Sequence, residues 1–404
     1  MVRREAWSAK GSMPNAQFAR PHNFLDRFVR VETRAAGLIL GAAALGVLVA
    51  SLPFGEGFAR YLETSHLRSI ISEVAITGFF LLVGLELRRE VAHGALSGTF
   101  ARVCALAAIA GMVVPAAIYL ALVQSPSTPG ASGGWVAVVA TDIAVATAII
   151  SIVGGSSRSR TTRLRTLLLT IAILDDIGAV FALAFFGSDA PTLWVIPLIL
   201  AVIATYALLA PRLHLGGWAA AGTATVTCLL SIKAGIHPSL AAFAVGCAVP
   251  RIKAPGTKEP ANERIERGWH PWIAAILLPL FVFVNTLVPV QIGADSPAIL
   301  IAFTAIAILV GKVIGVGGVL LIARRIVGIS IGEAVTIGFA AAAALTVAII
   351  GVEATLAGTV NAQPVSIGIL LATLIAVIAG VTVGRATNSK RASDSISPGA
   401  LPSE

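Results

Sequence analysis

Helix-length apolar runs recur along this chain at 35–53, 70–87, 103–123, 135–154, 166–186, 193–210, 216–232, 235–250, 271–290, 297–322, 333–352 and 365–384. An α-helix rises about 1.5 Å per residue, so about 17–25 apolar residues cross roughly 30 Å of hydrocarbon. Lipid offers the backbone no hydrogen-bond partners, so only helices and closed barrels can span it. A barrel would show short alternating segments, and these runs are continuous. The pattern therefore predicts an all-α polytopic membrane protein with about twelve transmembrane helices. Composition agrees, with 57% hydrophobic and 12% charged residues, against about 25% charged in a soluble domain.

The net charge of +9 would suit a nucleic-acid binder, but the placement of the charges gives a simpler account. Arg88, Arg89, Arg102, the Arg158–Arg165 group, Arg212, the 251–267 group, Arg324 and Arg325 fall in one set of connections, and Arg60, Arg68 and Lys233 in the other. That is the positive-inside asymmetry, and it predicts a multi-pass membrane protein with an even number of spans and both termini cytoplasmic. The lipid bilayer is thus a partner, and no nucleic acid is implied. No phosphate-binding Gly-rich loop occurs, so no use of ATP is expected.

Three parts follow from this reading: a basic cytoplasmic tail at 1–34, a transmembrane domain at 35–384, and a disordered cytoplasmic tail at 385–404. NFLDRFVRVETR (23–34) reads as a short interfacial helix within the first. The polar stretch 251–272 reads as the longest connection, dividing eight spans from four. Cys104, Cys228 and Cys247 lie in apolar stretches and read as buried small hydrophobes. His237 and His270 lack the spaced partners of a metal site, and no cofactor is expected.

The feature that needs explaining is LLTIAILDDIGAVFALAF (168–185), where two adjacent acids interrupt a span. Each costs roughly 2.5–3.5 kcal/mol at a helix centre, so something must compensate. Asp142 and Lys312 are the other charges deep in apolar runs, while Glu73, Glu86, Glu333 and Glu353 lie nearer span ends. The economical inference is one shared polar cavity. Neighbouring helical residues point about 100° apart, so one aspartate can hold an ion while the other meets Lys312. With the hydroxyl of Thr141, these carboxylates make an oxygen-rich site for a hard cation such as Na+ or Li+. A carboxylate kept from water also suits proton carriage near neutral pH.

The strings FFLLVGLELRRE (79–90), ATDIAVA (140–146), LDDIGAV (174–180), AGIHPSLAA (234–242), HPW (270–272), LPLFVFVNT (278–286) and GK at 311–312 resemble, in order, the motifs of the NhaA family of Na+/H+ antiporters. The resemblance implies inverted repeats with two discontinuous helices crossing at the midplane. It implies a secondary transporter and not an enzyme: electrogenic exchange of one Na+ or Li+ for about two protons, serving pH and sodium homeostasis, and a homodimer is a further state it allows. By the same resemblance Asp176 is the primary cation carboxylate, and Asp175 is its partner in proton transport, linked to Lys312. Asp142 and Thr141 sit at a helix break, and Glu86, Arg89, Glu90, Glu266 and His270 form a pH-response cluster.

Three features depart from the family pattern. Span eleven carries alanines in GFAAAAALTVAII where a break near Thr346 would carry glycines. Arg267 stands where relatives can have a histidine, and the 54–69 connection is short for a β-hairpin insert. A Na+-coupled symporter of related fold is the main alternative. An intramembrane aspartyl protease also needs two buried aspartates, but YD and GxGD contexts are absent from Asp142, Asp175 and Asp176.

Overall fold

The computed structural model describes residues 22–92, 98–154, 158–186, 194–213, 217–251, 259–287 and 298–396. Among these residues the regular structure is helical, without a β-strand. In chain order the helices are α1 (His22–Ala50), α2 (Gly55–Thr64), α3 (Leu67–Ala92), α4 (Gly98–Leu122), α5 (Trp135–Val138, after a 3-10 turn at Ala131–Gly134), α6 (Ile143–Val153), α7 (Arg158–Phe186), α8 (Val195–Leu213), α9 (Gly217–Ala234) and α10 (Pro238–Ala248). They continue with α11 (Ala261–Trp272), α12 (Leu278–Asn285), α13 (Ala298–Lys312), α14 (Gly318–Ile322), α15 (Arg324–Val327), α16 (Ile331–Ala341), α17 (Thr346–Leu356) and α18 (Ala362–Ile396). Single π-helical turns at Ile273–Leu277 and Val313–Gly317 join α11 to α12 and α13 to α14.

By length and composition, six continuous helical segments among the described residues can cross a membrane, α3, α4, α8, α11–α12, α13–α14 and α18, or up to nine spans if each bent pair counts as one. Twelve spans go beyond that count. Three sequence boundaries move. The 23–34 stretch is not a separate interfacial helix: α1 begins at His22, and neither glycine nor proline intervenes before Gly37 to stop it. The second half of the 251–272 connection is helical, because Ala261, Asn262, Ile265 and Glu266 recur at helical spacing on one buried face of α11. At the other end α18 continues to Ile396, beyond the boundary at 384.

Two packing groups organise the bundle. Helix α3 packs on α9, α10, α11 and α12, while α4, α6, α7, α13, α16 and α18 pack on one another, and α1 touches α12 and α6. Small residues bring backbones together at both kinds of contact, as expected where lipid removes the hydrophobic drive between helices. A Cβ on Gly84 of α3 would lie 2.3 Å from the Phe243 carbonyl of α10, and one on Gly311 of α13 would lie 2.4 Å from Pro115 Cα of α4.

The two breaks decide the site. Residues 139–142 separate α5 from α6 with a 46° bend, and 342–345 separate α16 from α17 with a 44° bend. The first is legible locally, since Asp142 adopts extended geometry and its side chain accepts from Val145 N as an N-cap. The second has no cap of its own: Leu345 offers no side-chain acceptor. Its freed backbone groups bond to other elements instead. Asp142 N donates to Ala343 O at 2.7 Å. Thr141 Oγ1 donates to Ala341 O at 2.9 Å, and Thr373 Oγ1 on α18 donates to Ala344 O at 3.1 Å. The alanine run unwinds because tertiary partners satisfy it, without glycine.

Candidate functional site

Asp175 and Asp176 lie midway along α7, both buried, facing the two breaks and the end of α13. Lys312, with no exposed surface, ends α13. Its ammonium has three donors, and each finds an acceptor: Asp175 Oδ2 at 2.6 Å, Thr141 Oγ1 at 3.0 Å, and the carbonyl of Val139. Thr141 Oγ1 also lies 2.6 Å from Asp175 Oδ2. The lysine is therefore held by a carboxylate, a hydroxyl and a carbonyl that the unwound turn leaves free.

Asp176 differs. It is 1% exposed, and neither of its oxygens has a hydrogen-bond partner among the described residues, nor does Asp175 Oδ1. Three buried carboxylate oxygens are thus left over beside the Lys312 ammonium. A buried carboxylate without partners costs several kcal/mol if charged, and binding a proton or a cation relieves that cost. These are hard oxygen donors, suited to an alkali cation.

Asp142 holds the breaks together. Oδ1 accepts from Val145 N at 3.1 Å, and Oδ2 accepts from Thr346 N at 3.1 Å and Thr346 Oγ1 at 2.8 Å. One carboxylate therefore caps the N-terminal ends of both α6 and α17, where the helix dipoles are positive. Thr346 was not among the site residues expected from sequence. Its only local signal is a hydroxyl residue after an apolar alanine run, and Val139 contributes a carbonyl that no side chain announces.

The second expected cluster is also assembled. Arg89 is buried on α3 and pairs with Glu266 of α11, with Glu90 at 3.3 Å and with Glu86 at 3.4 Å. His270 lies one turn beyond Glu266 on α11. Arg267, by contrast, turns outward and pairs with Glu259 at 2.5 Å.

An all-helical, membrane-spanning chain that surrounds buried carboxylates and one lysine with two helix breaks belongs to the class of ion-translocating membrane transporters. The family profile of Na+/H+ antiporter 1 matches residues 26–383. Similar proteins include the Na(+)/H(+) antiporter NhaA of Rhodospirillum rubrum, 32% identical over 73% of this chain and 76% of that one. The Na(+)/H(+) antiporter NhaA 2 of Pseudomonas syringae pv. syringae is 35% identical over 75% and 78%. Among solved structures, the sodium proton antiporter MjNhaP1 from Methanocaldococcus jannaschii at pH 8 superposes with a TM-score of 0.55, covering 93% of this chain and 98% of that one. At 14% identity, that likeness concerns the fold alone. The chain is a member of the Na+/H+ antiporter 1 family, and its multi-pass helical architecture is that of a membrane transporter.

Proposed function

We propose that this chain extrudes one Na+ or Li+ in exchange for about two protons, drawing on the proton gradient and moving net charge in each cycle. The observation that carries the reading is Asp176, a buried acid whose two oxygens lack partners among the described residues, next to an Asp175 held by Lys312. A cation entering between the two aspartates competes with a proton on Asp176 and with the lysine on Asp175. Displaced from its carboxylate, Lys312 keeps Thr141 and the Val139 carbonyl as acceptors. One cation exchanged for about two protons moves net charge in each cycle. Coupling then needs no distant switch, because cation and protons compete for the same atoms.

The wider reading follows the same lines. The breaks at 139–142 and 342–345 are read as the crossing of two discontinuous helices from inverted repeats within twelve spans. The Arg89 cluster is read as the pH-response element, with both chain ends cytoplasmic. Purified protein in proteoliposomes tests the exchange. Na+ should trigger proton flux without any organic solute, and flux that requires an organic solute would favour symport. Asp176→Asn should abolish Na+-dependent proton release from purified protein, and release of unchanged amplitude would reject the assignment.

A further inference from the structure

A cavity of about 440 Å³ opens at the end of the bundle opposite the Arg89 cluster, since Arg68 and Arg89 lie about 32 Å apart along α3. Its walls come from α3, with Arg68, Ser72 and Ile76, and from α17, with Val352 and Glu353; α17 packs on α5 and α18 and touches α12. Val352 lies about 9 Å along α17 from Thr346, the residue that binds Asp142, so this cavity approaches the two breaks from one end.

Across it, Arg68 Nη2 donates to Glu353 Oε1 at 2.5 Å. The arginine is held from its own group: Arg68 Nε donates to Asn285 Oδ1 at 3.1 Å, and the buried Asn285 donates through Nδ2 to Ser72 Oγ and Phe281 O, both at 2.9 Å. Arg68 is thus preset on α3 and α12, and Glu353 is the partner that moves if α17 moves. The two side chains are 31% and 29% exposed, so water can replace either partner at little cost.

The far end of the same broken helix pair is tied differently. Glu333, at the start of α16, bonds Arg160 of α7 at 2.5 Å and completes a capping box with Ser330. That pair joins two helices of one group and is nearly dry on the glutamate side, 3% exposed. The α16–α17 unit is therefore fastened to α7 at one end, and at the other it is bridged to α3 by a half-wet ion pair beside its contact with α12.

We propose that Arg68 and Glu353 are the residues that control access to the Asp175–Asp176 site from this cavity. Closed, the pair bridges α3 and α17. Open, it frees α17 to shift against α3 and admits cation and water past Ile76. The proposal rests on the reading of Asp176 as the cation site. In relation to the exchange these are positioning residues, acting through the placement of α17 and touching neither the cation nor the proton.

Accessibility of the deep wall tests it. Ile76 lies about 12 Å inward from Arg68 along α3 and is 3% exposed. In full-length protein with its three native cysteines replaced by alanine, Ile76→Cys in lipid nanodiscs is labelled with a charged methanethiosulfonate reagent, which reaches both faces. Glu353→Gln and Arg68→Gln should each raise the labelling rate several-fold, while Glu333→Gln should leave it unchanged. Equal labelling with and without Glu353→Gln overturns the gate, even where Asp176→Asn abolishes exchange. An equal rise with Glu333→Gln also overturns it, as general loosening of the bundle. Retained Na+-dependent proton release in Asp176→Asn rejects the site reading and the gate with it, even where labelling rises.

Discussion

Replacing Lys312 with alanine removes the single cation from the buried site and so separates its structural part from its transport part. Three bonds go at once: those to Asp175 Oδ2, Thr141 Oγ1 and the Val139 carbonyl. Breaking one partner of a fully buried ion pair costs about 3–5 kcal/mol, because the other charge is left behind. On the globular scale of about 2.1 cal/mol/K per residue, 404 residues give an unfolding entropy of about 0.85 kcal/mol/K, so melting should fall by roughly 4–6 °C.

Thermal melting of detergent-purified protein across pH, beside the unaltered chain, reads this directly. The oxygens of Asp175 and Asp176 remain, so Na+ binding should persist at alkaline pH while the exchange profile moves upward. If the ammonium gives up one of the exchanged protons, currents on a solid-supported membrane should also show less net charge per turnover. Unchanged melting at every pH, with unchanged profile and current, would show that the Lys312–Asp175 contact neither stabilises the fold nor takes part in exchange.

Asp142→Ala should cost about 2–4 kcal/mol, since it removes the caps of α6 and α17 together at about 1–2 kcal/mol each, whereas Asp142→Asn keeps one acceptor oxygen, loses one of the two caps and should cost about 1–2 kcal/mol. Equal melting of the two variants would refute the double cap. Thr257 lies outside the described residues, and Thr257→Cys should react with an impermeant thiol reagent only when the cytoplasmic face is exposed. Labelling on intact cells would invert the assigned orientation.

How much was legible in the sequence varies residue by residue. Helical spans follow from apolar run length, because lipid forces the backbone to satisfy itself within each segment. Asp142, Asp175, Asp176 and Lys312 stand out because charge at depth is too costly to be incidental. The break at 139–142 could be expected from its Thr-Asp pair, which favours an N-cap. The same logic fails at 342–345: alanine is the best helix former, and nothing local in AAAAALT calls for unwinding.

Tertiary structure alone settled the rest. Helix geometry could say that the adjacent aspartates point in different directions and the family resemblance pointed to Asp175, but the contact itself with Lys312, 137 residues away, exists only through how α7 and α13 pack. The cap of α17 comes from Asp142, 204 positions earlier, so the second break exists because the first one abuts it. Arg68 and Glu353 likewise read as ordinary charges near span ends until the two packing groups meet and set them against each other. Propensity and hydropathy are properties of a segment, and the chain fixes them by itself. Pairing energies belong to atoms that only the packed bundle brings within reach.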